Sequence, residues 1–256
     1  MRQHLKHHRQ ISFLRLILLV LFLIVWEVSA RTGIIDSFFF SSPSKVLTLL
    51  GQMCADHSIF EHIGITLFET LLSFLLVFIV SLVTATLLWY SPKLSEILEP
   101  YLVILNSLPK SALAPLFIVW LGTGTTTIIV AGISVAVFGS IISFYTAFKQ
   151  CDPEKITLIY TLGGTKRDVF HKVVLPASIP LLLSTTKVNI GLALVGVIIG
   201  EFLAARRGLG YLIIYGSQVF QLNLVILNIL LLCIIAMGFY QGIQLIEHRI
   251  RKKMQL

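Results

Sequence analysis

The stretch IGITLFETLLSFLLVFIVSLVTATLLW, residues 63–89, carries a single ionisable side chain, Glu69. A helix rises about 1.5 Å per residue and needs roughly 20 predominantly apolar residues to cross a bilayer core, so this stretch predicts a transmembrane helix. Outward from it, five further apolar runs of similar length predict spans at 12–30, 101–121, 126–148, 175–203 and 224–246. The 256-residue chain is 56% hydrophobic and 12% charged, against about 45–50% and about 25% in soluble domains. The expected fold class is all-α, a polytopic membrane bundle of about six transmembrane helices forming one domain over residues 1–256. The short loops leave no room for a soluble domain of about 50 residues or more. Any water-soluble catalytic unit then belongs to another polypeptide.

A net charge of +8 suggests nucleic acid in a soluble protein, but in a membrane protein the placement of Lys and Arg is more informative. Of 20 such residues, fourteen share one side: Arg2, Lys6, Arg9 and Arg15; Lys93; Lys149, Lys155, Lys166, Arg167 and Lys172; and Arg249, Arg251, Lys252 and Lys253. Arg31, Lys45, Arg206 and Arg207 fall on the other side, while Lys110 and Lys187 lie within spans. The positive-inside rule therefore predicts both termini in the cytoplasm of a multi-pass plasma membrane protein, with lipid and no nucleic acid as partner. The N-terminus has a rival reading as a cleavable signal peptide ending at Val28-Ser29-Ala30, which leaves the other spans in the same orientation. His4, His7 and His8 read as a solvated flank rather than a metal tract.

The chemistry of energy conversion is absent. The chain has no Gly-Lys dipeptide and hence no phosphate-cradling G-x-x-x-x-G-K-[ST] loop, and it lacks H-E-x-x-H and G-x-S-x-G. No catalytic residue, metal or cofactor is expected. Cys54, Cys151 and Cys233 form no Cys-x-x-Cys pair, so neither a disulfide framework nor a metal site is indicated. Ionisable groups inside spans cost roughly 2.5–3.5 kcal/mol each at a helix centre. Here they are Glu69 and Glu201, placed near span ends within reach of water, Lys110 in a proline-interrupted segment, and the deep Lys187. Such groups are what a gradient-driven secondary carrier would use, and that is the competing functional class.

Small residues recur every four positions at Gly132, Ala136 and Ser140, at Gly196, Gly200 and Ala204, and at Gly238 and Gly242. Such stripes let helix backbones approach closely, either within one chain or against a second copy. With Lys187, they nominate the fifth span as a candidate translocation path comprising Lys187, Gly196, Gly200 and Glu201.

The longest predicted cytoplasmic connection, residues 149–174, is written as two short helices. Asp152 suits an N-cap, Pro153 the first helical position and Glu154 the first turn. Gly163 and Gly164 supply a left-handed stop, and Thr165 with Asp168 makes a capping box for a second helix. Ile156, Ile159 and Tyr160 stripe the first helix; Val169, Phe170, Val173 and Val174 stripe the second, opposite Lys166, Arg167 and Lys172. Such a helix pair must pack on lipid, on its own spans or on a soluble partner.

Asp152-Pro153-Glu154, Thr161-Leu162-Gly163 and Val173-Val174-Leu175-Pro176 together resemble the cytoplasmic EAA loop of binding-protein-dependent ABC importer permeases. That pattern runs EAA, three residues, Gly, nine residues, Ile-x-Leu-Pro, and Gly163, Val173, Leu175 and Pro176 fall at the matching spacings. The resemblance extends to Ser42-Pro43-Ser44, His62, Pro109, Leu113-Ala114-Pro115-Leu116-Phe117 and GEFLAARRGLGYLI at 200–213. It is greatest to the nitrate, sulfonate and taurine branch, which includes importers of thiamine-precursor pyrimidines. The EAA triplet itself is replaced by Thr157-Leu158-Ile159, and the glycines usual in the second span are replaced around Ser73, Val77 and Ser81. The resemblance implies a type I ABC importer permease fold and an ATPase-coupling loop comprising Asp152, Pro153, Glu154, Gly163, Gly164, Phe170, Leu175 and Pro176. It further implies cytoplasmic ATP-binding subunits, an extracytoplasmic solute-binding protein and a permease homodimer. Arg206 and Arg207 would then contact either that binding protein or an anionic solute.

Overall fold

A computed structural model describes residues 2–254, with side chains at 13–15 and 17–252; the side chains of His4, His7 and His8 lie outside the described residues. The helices are α1 (Arg2–Arg31), α2 (Ser37–Phe40), α3 (Pro43–Ala55), α4 (Ser58–Tyr90), α5 (Pro92–Ser107), α6 (Lys110–Leu121), α7 (Thr125–Lys149), α8 (Pro153–Thr161), α9 (Lys166–Val169), α10 (Leu175–Ala204), α11 (Leu209–Gln218) and α12 (Leu222–Met254). A single π-helical turn, Phe170–Val174, joins α9 to α10. No strand occurs among the described residues.

Phe13–Arg31, Ser58–Tyr90, Thr125–Lys149, Lys166–Ala204 and Leu222–Lys252 are each long and apolar enough to cross a bilayer. The sixth expected span, one run at 101–121, is not a single helix: α5 and α6 are long and apolar enough only as a pair, and the pair is bent by 95°. Pro109 is the cause. It holds the preceding Leu108 in extended backbone at φ −62°, ψ 140°, and its ring nitrogen has no proton to donate back along the helix.

The chain forms two compact units, Met1–Glu61 with Leu212–Leu231, and His62–Tyr211 with Leu232–Leu256. In the first, Ser42 caps α3 and Pro43 opens it. Glu27 of α1 accepts hydrogen bonds from the Ser44 backbone N–H at 3.0 Å and the Ser44 hydroxyl at 2.9 Å. A carboxylate at the start of a helix meets unpaired N–H groups and the positive end of the dipole. The Trp26 indole N–H donates to the Phe40 carbonyl at 3.2 Å.

The second unit is organised around the contact of α7 with α10. A Cβ added at Gly196 would stand 2.7 Å from the Gly132 Cα and 2.9 Å from the Ala131 carbonyl oxygen; one added at Gly200 would stand 2.9 Å from the Ile128 Cα. These distances are shorter than any carbon packing, so only glycine permits the approach. α4 closes the other side of Gly132, where the Ser73 hydroxyl donates to the Ile129 carbonyl at 3.3 Å, and Ser81 reaches the Val137 carbonyl at 3.4 Å. Ser73, Val77, Ser81 and Ala85 are fully buried on this face. Leu71, Leu75, Ile79, Val83 and Leu87 repeat at the same spacing on the opposite, exposed face. The serines that replace the second span's usual glycines are therefore contacts to α7.

Two of the three small-residue stripes thus meet each other inside one chain, the first of the two alternatives, and Gly196 and Gly200 do not face a second copy. Gly238 and Gly242 have open space beside them. Overpacking a tight contact costs about 1–3 kcal/mol. Gly196→Leu, which drives a side chain into backbone, is expected to lower the thermal unfolding midpoint in detergent by at least about 2 °C, and Gly238→Leu to leave it nearly unchanged.

Candidate coupling loop and outer clasp

At the end of α7 the chain enters the loop through Asp152, whose side chain accepts from the Glu154 N–H at 2.9 Å and starts α8 with Pro153 in its first turn. α8 stops at Gly163, which takes φ +78° and donates to the Tyr160 carbonyl at 3.0 Å. Gly164 donates to the Ile159 carbonyl at 2.9 Å, and a Cβ there would lie 2.5 Å from the Ile159 Cγ2. The two glycines have different reasons: left-handed backbone at Gly163, close approach at Gly164. Thr165 and Asp168 form the expected capping box, with the Thr165 N–H donating to Asp168 at 2.9 Å and the Asp168 N–H to Thr165 Oγ1 at 3.3 Å.

The second loop helix departs from expectation. α9 does not end before the membrane; it continues through the π-turn Phe170–Val174 directly into α10 with Leu175 and Pro176, so the run Lys166–Ala204 is continuous. Pro176 lies in the first turn of α10, a position that proline tolerates. The π-turn rotates the apolar stripe inward. Phe170 is 5% exposed, with ring centroids of Trp89 at 5.1 Å, Tyr90 at 5.4 Å and Phe148 at 5.4 Å. Of the three coverings open to this stripe, Phe170 takes the chain's own helices: the side chain is core. Lys166 ties the same corner to the end of α4, donating to the Tyr90 carbonyl at 2.9 Å over the Trp89 ring at 5.5 Å. A cation at a helix C-terminus answers both an unpaired carbonyl and the dipole. On α8, Ile156 and Ile159 pack on this cluster, whereas Leu158, Tyr160 and Leu162 remain exposed.

The candidate path residues do not come together. Lys187 forms an ion pair with Glu247 of α12, where its ammonium also lies 5.7 Å from the Tyr240 ring centroid, and Glu247 binds Arg251 at 2.9 Å. Gly196 and Gly200 are held against α7. Glu201 sits at the far end of α10 and is fully buried rather than near water; Glu69 of α4 is buried beside it and touches Glu201 and Thr125.

Around Glu201 the loop after α10 is clasped to α4. The carboxylate accepts from the Thr66 hydroxyl at 2.7 Å and the Gly210 N–H at 2.6 Å, Thr66 Oγ1 accepts from the Leu209 N–H at 2.9 Å, and His62 Nδ1 accepts from the Gly208 N–H at 3.0 Å. The His62 ring stacks on Tyr211 at 6.3 Å. At Gly208, φ is +117° and a Cβ would meet the Glu201 carboxyl at 2.5 Å, which explains the glycine-rich RRGLGYL segment. Thr66 carried no sequence signal as a partner of Glu201, since the two are 135 residues apart.

The sequence matches, over residues 77–252, the family described as binding-protein-dependent transport system inner membrane component. The chain belongs to this family. It is 30% identical to a probable ABC transporter permease of Haemophilus influenzae, over 94% of this chain and 98% of that protein. A formylaminopyrimidine transport permease of Halalkalibacterium halodurans is 26% identical over 75% of this chain and 76% of its own length. A putative aliphatic sulfonates transport permease of Bacillus subtilis is 24% identical over 93% and 86%. The fold is shared with the MetNI methionine ABC transporter in an inward-facing conformation, with TM-score 0.65 and 21% identity over 77% of this chain and 95% of that one. The chain is thus an inner membrane permease component of the ABC importer type, with an all-α type I permease fold.

In this permease the aromatic cluster fixes the loop to the membrane helices. Removing a buried Phe costs about 3–5 kcal/mol, so Phe170→Ala is expected to lower the unfolding midpoint of the purified permease well below wild type. Leu162→Ala, on an exposed side chain, should stay within about 0.5 kcal/mol.

Proposed function

We propose that residues 1–256 act as one transmembrane permease domain that passes a small solute, handed over by an extracytoplasmic binding protein, into the cytoplasm. ATP is hydrolysed on separate cytoplasmic subunits, in keeping with the missing phosphate-binding loop, and the permease itself is not an enzyme. Two copies pair to enclose the path. Both termini are cytoplasmic, a reading that the fourteen-to-four distribution of Lys and Arg supports. The observation that carries this reading is α8: capped at Asp152, stopped at Gly163, seated on the inner aromatic cluster, and presenting Leu158, Tyr160 and Leu162 outward. An apolar trio on a rigid cytoplasmic helix fits a cleft of the ATP-binding subunit. Gly163, Gly164, Leu175 and Pro176 set its angle, and Phe170 transmits force without touching the partner. The solute is read as a sulfonate, nitrate, taurine or related compound, in line with the sulfonate permease relative. A thiamine-precursor pyrimidine is the second reading, favoured by the formylaminopyrimidine permease relative.

Full burial of a large apolar side chain stabilises by roughly 1.5–3 kcal/mol, or tenfold and more in affinity. Tyr160→Ala with Leu162→Ala should therefore abolish most substrate-stimulated ATP hydrolysis and uptake in vesicles containing the ATP-binding subunit, without loss of membrane insertion. Lys172→Ala removes only the exposed pair with Asp168 at 3.0 Å, worth about 0–1 kcal/mol, and should transport normally. Wild-type uptake by the double variant would remove α8 as the coupling element and place the contact with the ATP-binding subunit elsewhere on the permease. Topology reporters after Thr165 should read cytoplasm and reporters near Asp56 should read outside; a cytoplasmic signal at Asp56 would overturn the orientation.

A further inference from the structure

The third span breaks at Leu108 and Pro109, and the break is open to the surface of this chain. Asn106, Ser107 and Ser111 are exposed and Lys110 is half-buried. α6 runs from Lys110 only to Leu121, about 18 Å of helical rise. Even standing upright it leaves the break well inside a hydrocarbon core about 30 Å thick. The surface around the break is unlike the lipid-facing surface of the same unit. α4 turns Leu71, Leu75, Ile79, Val83 and Leu87 outward, every one apolar. The break turns out an amide, two hydroxyls and an amine beside Leu105 and Leu108.

The backbone adds a second reason. Where α5 ends, its last carbonyls lose their helical partners, and the Lys110 ammonium answers two of them, donating to the carbonyls of Leu105 and Asn106. Irregular backbone at membrane depth persists only where protein buries it or water reaches it, and this chain does not bury it. The charge of Lys110 is also uncancelled. Lys187, in the middle of α10, is neutralised by Glu247. Lys110 meets carbonyls and the Phe138 ring at 5.4 Å, with no carboxylate partner among the described residues.

We propose that the break between α5 and α6 lines the aqueous translocation path, and that the Lys110 ammonium there favours anionic solutes. This rests on the importer reading above and moves the path from Lys187, Gly196, Gly200 and Glu201, which are occupied by contacts within the chain, to Asn106, Ser107, Lys110 and Ser111. An ammonium has three donors, so Lys110 can hold two carbonyls and still meet a passing anion. The first turn of α6 adds positive potential of the same sign.

Single cysteines at positions 107, 111, 75 and 83, introduced into the full chain carrying Cys54→Ala, Cys151→Ala and Cys233→Ala, test this in membrane vesicles. The probes are an anionic and a cationic methanethiosulfonate, read by the loss of later maleimide labelling after denaturation. Positions 107 and 111 should react at least about tenfold faster than 75 and 83, because charged reagents do not enter the lipid core. The anionic reagent should outpace the cationic one at Ser107→Cys, and Lys110→Met should lower that ratio at least about threefold, as expected for a local electrostatic focus. Lys110→Gln, which keeps donors for the two carbonyls, replaces Lys110→Met if the latter does not accumulate. Equal rates at 107 and 83 would mean that lipid or a second copy covers the break and would overturn the path assignment. An unchanged reagent ratio would overturn the anion preference. Labelling needs neither ATP nor binding protein, so failure here leaves the α8 coupling test standing, and failure of that test leaves this one readable.

Discussion

The second unit depends on one contact, the passage of α10 across α7 at Gly132 and Gly196. Inside a bilayer there is no hydrophobic drive to press helices together, because lipid tails are as apolar as leucine, and association rests on close packing and hydrogen bonds. A Cβ on Gly196 would approach the opposing Cα to 2.7 Å, so the two backbones touch without side chains between them. α10 brings to its inner end the π-turn with Phe170 and to its outer end Glu201. The placement of both functional ends follows from where those two helices cross.

The two ends are fixed by opposite chemistry. At the inner end Phe170 is packed among Trp89, Tyr90 and Phe148, and dispersion with shape complementarity holds α8 and α9 to the helices. At the outer end Glu201, Thr66 and His62 bind successive backbone N–H groups of 208–210, which holds a glycine-rich loop that has few side chains of its own to pack. An apolar joint suits a helix that transmits force as a rigid body, while a hydrogen-bonded joint suits a loop whose backbone must be placed to within a bond length. The broken third span lies on neither joint. Its polar groups stay open because Pro109 prevents the helix from closing over them.

Much of the loop was legible because its signals are local. Asp152, Pro153, Gly163 and the Thr165–Asp168 box act on neighbours within a few residues, and all behave as their spacing predicts. The covering of Phe170 by the chain's own helices was not legible, because an apolar stripe says that a face must be covered and says nothing of what covers it. The π-turn, an extra residue in one helical turn, rotates that stripe toward Trp89 and Tyr90, and no simple periodicity announces it. Their distance from span ends places Glu69 and Glu201 near water, yet both are buried, Glu201 beneath the loop that follows α10.

The sequence by itself determined that this is a multi-pass helical membrane protein, where five of its spans lie, which connection carries a built helix, and which family that connection resembles. Apolar length, charge placement and capping are properties of contiguous residues, and a single chain displays them in full. Only the tertiary structure decided which glycines face one another, that Lys187 is neutralised by Glu247 while Lys110 is not, and that the third span is bent by 95°. The glycine contact and the Lys187–Glu247 pair depend on the rotation of each helix about its axis and on partners 60 or more residues away, while the size of the bend at Pro109 depends on how α5 and α6 pack. In a bilayer, hydrophobicity does not set that rotation, because nearly every face of every helix is apolar; close packing and scarce polar partners do.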